Sequence, residues 1–138
     1  MTKIIDIPGD HRRQAYVPGQ ATAGTADTWP VFHAEKACTV TGILWVPAAA
    51  VTGDTTNTFS LAVQNKGQAG AGTTAVTATK TYATATDSVA HDAEALTLSS
   101  TAANLELAAG DVLVLVRAIV GTGLAQPDGL VEVAFKYR

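Results

Sequence analysis

The chain has 138 residues, about the size of one domain, and carries a net charge of −3 with a sequence pI near 5.4. This acidic balance argues against a nucleic-acid partner, which would require a basic surface. The longest aliphatic run extends only from Val112 to Val116, and no apolar region follows the N-terminus, so neither a membrane partner nor a secretory signal is expected. Charged residues make up only 15% of the chain, which indicates an unusually apolar interior or a surface partly covered by a partner.

The first 27 residues are interrupted repeatedly by proline and glycine, which predicts an extended N-terminal arm spanning residues 1–27. This arm contains a basic cluster together with apolar residues that have no core position to fill. Two interpretations remain open: a floppy tail, or an arm that becomes ordered on a neighbouring subunit or scaffold. The residues that we predict to bind a partner there are His11, Arg12, Arg13, Tyr16 and Val17, and the apolar residues before them are Ile4, Ile5 and Ile7.

From Trp29 onward, apolar residues recur at every second position, which is the period of a β-strand. Turn-forming residues separate these runs. Strands are predicted at Trp29–Ala34, Cys38–Val46, Phe59–Val63, Val76–Tyr82, Leu96–Leu98, Val112–Val120 and Val131–Tyr137. Several short strands of this kind predict an all-β fold for residues 28–138, an antiparallel β-sandwich of jelly-roll type.

The alternation also predicts which face of each strand points into the core. The predicted inward residues are Val40, Leu44, Phe59, Leu61, Val63, Val112, Val114, Val116, Val131, Val133 and Phe135. The strand at 112–120 is apolar on both faces, because Leu113, Leu115 and Ile119 lie opposite its valines. Such a strand is covered on both sides within its own domain, or its outer face meets another subunit. We therefore predict Leu113, Leu115 and Ile119 as partner-binding residues as well.

The sequence lacks the residue patterns of a catalytic site. Its histidines, His11, His33 and His91, lie in separate segments without metal-ligand spacing. No serine occupies a nucleophile elbow, and no glycine cluster has the pattern of a phosphate-binding loop. The single cysteine, Cys38, lies in an alternating apolar run and is expected to be a core residue. We expect no catalytic residue, no cofactor and no metal, and a protein that is not an enzyme.

Two alternatives concern bound ligands. Asp54 lies near Asn57 in a segment that does not match an EF-hand loop, so turn formation is favoured over calcium binding. A glycan is left open as a partner because jelly-roll domains include lectins, and exposed aromatic residues would serve such a site. The aromatic candidates are Trp29, Trp45 and Tyr82.

Several turn and strand motifs resemble a pattern found in small structural proteins of tailed bacteriophages. They are Thr39–Pro47, Thr52–Leu61 and Asn65–Gly67, followed later by Leu107–Leu113 and Gly121–Gly123. The resemblance covers roughly residues 29–137 and is greatest to capsid decoration, or cement, proteins. It implies a β-sandwich that forms a homotrimer, is made in the host cytoplasm and binds the major capsid protein on the outside of the virion head. No catalytic residue carries over from such a family.

The rival function belongs to another class: a carbohydrate- or receptor-binding module of a phage fibre or a similar appendage. Exposed aromatic residues and aspartates clustered at one end of the sandwich would favour this rival. An N-terminal arm packed along a neighbour would favour decoration.

Overall fold

The computed structural model describes residues 9–21 and 24–138. Within these residues the protein consists of ten β-strands and a short 3-10 turn at Ala102–Leu105, and no helix there is long and apolar enough to cross a membrane. The strands are β1 (His11–Val17), β2 (Asp27–His33), β3 (Cys38–Pro47), β4 (Thr58–Asn65), β5 (Thr74–Ala75), β6 (Lys80–Thr81), β7 (Glu94–Ala95), β8 (Glu106–Leu107), β9 (Val112–Val120) and β10 (Gly129–Tyr137).

The strands form two antiparallel sheets. The first sheet has the order β1-β10-β3-β7, with β8 also paired to β3. The second sheet has the order β2-β9-β4-β5, with β6 also paired to β4. The four strands β1 to β4 alternate between the two sheets, as do β9 and β10, which is the connectivity of a jelly roll. The predicted antiparallel β-sandwich is therefore confirmed.

The hydrophobic core lies between the two sheets. Phe59, Leu61 and Val63 project into it from β4, and Val131 and Val133 project into it from β10. All five side chains are completely buried, as their alternation predicts. Burying a side chain of this size stabilises the fold by about 1.5–3 kcal/mol, so these two strands supply much of the energy that holds the sheets together.

The face of β3 that points into the core changes along the strand. The register between β3 and β10 shifts at Thr41, which acts as the extra residue of a β-bulge. Val40 is buried before the bulge, and Ile43 and Trp45 are buried after it. The prediction that Leu44 shares the inward face with Val40 is wrong, because one inserted residue reverses the parity of every later position.

The inward face of β9 is the opposite of the predicted one. Leu113 and Leu115 are completely buried in the core, and Ile119 packs against it. Leu115 lies opposite Val63 of β4, and residues that face each other across an antiparallel pair lie on the same side of the sheet. The prediction of an inward valine face is therefore wrong for Val112, Val114 and Val116, which form the outer face of the strand.

Part of the predicted arm belongs to the sandwich. The segment His11–Val17 pairs along its whole length with β10, and the Val17 side chain is completely buried. The predicted extended arm over residues 1–27 is therefore wrong for His11–Val17, and the sandwich continues from Asp27, where β2 begins. β1 shows no apolar alternation in the sequence because Val17 is its one fully buried side chain, whereas the inward position 13 carries an exposed arginine. Ile4, Ile5 and Ile7 lie outside the described residues.

The segment rich in alanine and threonine between β4 and β9 forms only the two-residue strands β5 to β8. The longer strand predicted at 76–82 and the strand predicted at 96–98 are therefore replaced by short pairings. Val76, Tyr82 and Leu96 are nevertheless buried in the core. The apolar anchors of this segment were identified correctly, whereas its small residues supply too little packing for long strands.

Four connections lie together at one end of the sandwich, which we call the loop end. They are residues 18–26, of which 22 and 23 are not described, together with 48–57, 82–93 and 121–128. Backbone hydrogen bonds join neighbouring connections: Gln20 pairs with Gln126, Val51 pairs with Ser88, and the Ala48 amide donates to the Asp128 carbonyl. The sequence thus brings four distant segments to a single surface.

Candidate partner-binding surfaces

The predicted partner-binding residues of β1 are divided between the two faces of the strand. Arg12 and Tyr16 lie on the outer face, whereas Val17 belongs to the core. The Arg12 guanidinium donates to Glu132 Oε1 at 2.7 Å, and Gln14 donates to Glu132 Oε2 at 2.8 Å. These hydrogen bonds lower the pKa of Glu132. The charge of Arg12 is therefore partly neutralised within the same sheet.

The other two basic residues contact aromatic rings of β10. The His11 ring lies 4.8 Å from the Tyr137 ring and 5.7 Å from the Phe135 ring, measured between centroids. The Arg13 guanidinium lies 5.8 Å from the centroid of Phe135. His11, Arg12 and Arg13 consequently do not form the single basic patch that their adjacency in the sequence predicts.

The second predicted set is not a surface at all. Leu113 and Leu115 are buried between the two sheets, and Ile119 packs against the same core. The expectation that these three side chains require another subunit to cover them is therefore wrong. The cover comes from strands of the same chain.

The loop end carries a shallow hollow of about 530 Å³. Ala48, Ala49 and Ala50 line it together with Pro127 and Asp128. A second hollow of about 240 Å³ shares Ala48 and Asp128 with the first and is bordered by Tyr16, His91 and Leu130. The two hollows therefore lie side by side at the loop end, and their lining is largely apolar.

Large exposed apolar side chains also occur at the loop end. Tyr16, Val89 and Val120 are the large apolar residues of the described chain with the greatest exposure, at 67%, 64% and 63%. Tyr16 ends β1, Val89 lies in the 82–93 connection and Val120 precedes the 121–128 connection, so all three lie at the loop end. Of the three, Tyr16 borders the second hollow, whereas Val120 belongs to the outer face of the opposite sheet.

Contacts within the protein hold the loop-end surface in shape. Desolvation and a hydrogen bond to Asp128 raise the pKa of the Tyr16 phenol. Asp128 also accepts a hydrogen bond from the backbone amide of Gly19. A Cβ at Gly19 would lie 2.7 Å from Asp128 Oδ1, so only glycine allows this close approach. The first and last connections of the loop end are therefore fixed to each other before any partner binds.

The acidic turn residue weighed as a calcium ligand serves its own backbone. Asp54 Oδ1 accepts hydrogen bonds from the amides of Asn57 and Thr56, at 2.6 and 2.7 Å, and these bonds lower the pKa of Asp54. The Asn57 side chain in turn accepts hydrogen bonds from Thr122. Among the described residues, no group of three or more His, Cys, Asp or Glu is arranged to hold a metal ion.

The aromatic candidates for a glycan site do not form an exposed cluster. Trp45 and Tyr82 are completely buried, and Trp29 packs against the core. The Tyr82 hydroxyl donates to Glu94 Oε2 at 2.8 Å. These residues therefore stabilise the fold, and the exposed aromatic side chain at the loop end is instead that of Tyr16.

The loop-end hollow was missed at the level of sequence. The run Ala48–Ala50, directly after Pro47, was not assigned to any element or surface. An uncharged run in a connection between strands is the signal that could have identified it, because connections are normally polar. The parts contributed by residues 18–21 and 121–128 could not have been found, because only the folded chain brings them together.

Comparisons with known proteins give little further information. No protein-family model matches the chain, and no curated protein matches it. Among solved structures, a chain in the structure of infectious bursal disease virus, Gx strain, aligns with 94% of this chain, with a TM-score of 0.44 and 12% sequence identity. The protein spans only 32% of the length of that chain.

Proposed function

We propose that the protein is a structural virion protein that binds the outside of a tailed-bacteriophage capsid as a decoration protein, with the major capsid protein as its partner. The observation that carries this proposal is the loop end, where a preformed, largely apolar hollow lies beside the exposed Tyr16 side chain. The resemblance of the strand and turn motifs to decoration proteins supplies the kind of partner. The role is binding, not catalysis.

The loop end has the layout of an interaction surface. Small apolar side chains, Ala48–Ala50, line the hollows together with the polar groups of Asp128, His91 and Gln20. Apolar area interspersed with groups that form hydrogen bonds is common in protein interfaces. Because the connections are already joined by hydrogen bonds, little conformational entropy is lost when they bind.

The homotrimer is also part of this proposal. Its support is the resemblance to decoration proteins, since the original argument from Leu113, Leu115 and Ile119 does not apply to buried side chains. A threefold decoration protein would bring three loop ends to the capsid at once, and this multivalency strengthens attachment without any new type of contact.

The test is binding to undecorated heads of the phage that encodes the chain. Co-sedimentation should show saturable binding of the wild type, and cryo-electron microscopy of the same particles should place its density on the outer surface. The Ala49→Asp variant, which puts a charge into the hollow, should bind at least ten-fold more weakly. The matched control is Ala71→Asp, an exposed alanine in the connection at the opposite end, which should bind like the wild type.

The same experiment distinguishes the rival function. A carbohydrate- or receptor-binding module of a fibre would leave heads bare and would be found in the tail or fibre fraction of the virion. Binding of a glycan array that depends on Tyr16 would favour this rival. Wild-type protein that fails to bind undecorated heads would refute decoration.

A further inference from the structure

The edges of the two sheets differ in how well they are protected from pairing with another strand. β2, an edge of the second sheet, carries Pro30 and a register shift beside it, and both features oppose strand addition. The edges on the other side of the sandwich consist of the two-residue strands β5 to β8. β1 instead pairs all seven of its residues with β10 without a register shift and contains no proline. Among the described strands, β1 is therefore the long and regular edge.

The hydrogen-bond pattern of the first sheet shows which backbone groups of β1 point away from that sheet. The Ala48 amide donates to the Asp128 carbonyl at 2.7 Å, one step beyond the last residue pair of β3 with β10. Because hydrogen-bonded pairs alternate along an antiparallel ladder, the even-numbered residues of β10 bond to β3 and its odd-numbered residues bond to β1. The odd-numbered residues of β10 lie opposite the odd-numbered residues of β1. The backbone groups of Arg12, Gln14 and Tyr16 therefore point out of the edge.

These outward backbone groups are available to an added strand. Within the part of the chain that the structure describes, no hydrogen bond satisfies the amides of Arg12, Gln14 and Tyr16 or the carbonyls of Gln14 and Tyr16. The Arg12 carbonyl accepts a hydrogen bond from the Arg13 guanidinium at 3.1 Å. All of these residues are exposed. The unpaired amides and carbonyls have the spacing of a β-ladder, so an extended chain can pair with them in the same way as β10 does on the other side.

The charges on this edge determine the chemistry of the strand that fits it. Arg12 projects from the outer face of the sheet, and Arg13 projects from the face toward the second sheet. Arg12 is paired with Glu132, whereas no carboxylate of the described residues pairs with Arg13. A strand laid along β1 also alternates between the two faces, so two consecutive acidic residues in it would lie beside the two arginines. Opposite charges across a strand pair stabilise the pair, and like charges destabilise it.

A second copy of β1 does not fit this edge, because pairing it with β1 would gather the arginines of both copies in one two-stranded ribbon, where they repel one another. We propose that the edge of β1 binds an extended acidic segment of a partner protein, which joins the first sheet as a further strand with two consecutive acidic residues beside Arg12 and Arg13. Main-chain hydrogen bonds to Arg12, Gln14 and Tyr16 supply the affinity, and the arginines supply the specificity. This inference does not depend on the loop end being the capsid contact.

The first test measures the binding of synthetic peptides to the full chain by fluorescence anisotropy. The probe is the labelled peptide acetyl-TVTEETVT-amide, and its control, acetyl-TVTKKTVT-amide, carries lysines in place of the two acidic residues. The acidic peptide should bind saturably and at least about ten-fold more tightly than the lysine peptide. Arg13→Glu should weaken binding of the acidic peptide by about ten-fold and strengthen binding of the lysine peptide. The matched control Lys66→Glu makes the same change of charge in the connection after β4 and should leave both affinities unchanged.

The second test determines whether backbone groups form the contact. Gln14→Pro removes an outward amide that does not bond to β10, so circular dichroism should show a folded protein while binding of the acidic peptide is lost. The matched control Gln14→Thr keeps the amide and should bind like the wild type. In the wild type, hydrogen exchange of the Arg12, Gln14 and Tyr16 amides should slow when the acidic peptide binds. Exchange of the Ala15 amide, which bonds to β10, should not change.

The outcomes separate this inference from the proposed function. Slower exchange at the three outward amides, together with loss of peptide binding in Gln14→Pro, would support strand addition at β1. An acidic peptide that does not bind, or that binds Gln14→Pro as tightly as the wild type, would overturn it. If Gln14→Pro does not fold, the exchange measurement on the wild type decides by itself. None of these results bears on the loop end, whose test is the binding of Ala49→Asp to undecorated heads.

Discussion

Replacing Arg117 with methionine tests how the loop end is attached to the core. Arg117 is only 1% exposed and projects from β9 between the sheets, with its guanidinium 5.4 Å from the centroid of the Phe59 ring. It donates hydrogen bonds to the Gln20 side chain and to the backbone carbonyls of Thr25 and Leu124. One buried cation thus joins the 18–26 and 121–128 connections to the central strand of the second sheet.

The magnitude follows from the acceptors that the variant leaves behind. A buried acceptor that loses its donor costs about 1–3 kcal/mol. Arg117→Met removes the donor from three part-buried acceptors, of which the Thr25 carbonyl belongs to an exposed residue and loses least. Methionine recovers part of this, because burial of the guanidinium is itself unfavourable and lowers the pKa of Arg117. The net loss should be about 3–5 kcal/mol, which is a large share of the roughly 5–15 kcal/mol that stabilises a domain. The melting temperature should fall by roughly 10–20 °C.

Urea unfolding followed by tryptophan fluorescence measures this loss. The matched control is Arg12→Met, because the Arg12 side chain is 62% exposed and its pair with Glu132 should contribute at most about 1 kcal/mol. If the free energy of unfolding of Arg117→Met is within about 1 kcal/mol of that of the wild type, the three acceptors have found other donors and the reasoning is refuted. If Arg12→Met loses as much free energy of unfolding as Arg117→Met, then burial does not decide how much each arginine contributes to stability.

Three further predictions concern single residues. Gly129→Ala should lower the melting temperature strongly, because a Cβ there would lie 2.2 Å from the Trp45 indole. In the control variant Gly42→Ala the new Cβ would lie 3.7 Å from its nearest neighbour, so the melting temperature should stay close to that of the wild type. Equal melting temperatures of the two variants would contradict this packing argument. Cys38 should react with a thiol reagent far more slowly in the folded protein than in urea, because desolvation raises its pKa to about 11 and keeps the thiol protonated. A reaction rate that urea does not change would show that the thiol is accessible in the folded protein. The pKa of Asp54 is lowered in the folded protein, so this carboxylate stabilises the fold above its unfolded-state pKa, and the contribution is lost as pH falls through its folded-state pKa. The free energy of unfolding of Asp54→Asn should therefore fall less than that of the wild type between about pH 5 and pH 3. Urea titrations in which both proteins lose the same free energy would argue against the turn as the cause.

The candidate site was only partly accessible from the sequence. Tyr16 was identified as a partner-binding residue and is exposed at the loop end, but Val17 beside it is buried. The hollow lined by Ala48–Ala50 and Pro127 was not anticipated. Its two sides come from segments nearly 80 residues apart, and no local pattern records that the chain brings them together.

The sequence by itself determined the fold class and the part of the core that β4 and β10 supply. Period-two alternation in β4 and β10 places Phe59, Leu61 and Val131 inside because a strand with one polar and one apolar face has only one favourable orientation. Tertiary structure alone decided the orientation of strands whose pattern is ambiguous. In β9 both faces are apolar, so the pairing of Leu115 with Val63 selects the buried side. In β3 a single bulged residue, Thr41, reverses the parity, because register depends on the neighbouring strand and not on the local sequence. In β1 only Val17 is buried, so pairing with β10, and not an apolar pattern of its own, makes this segment a strand.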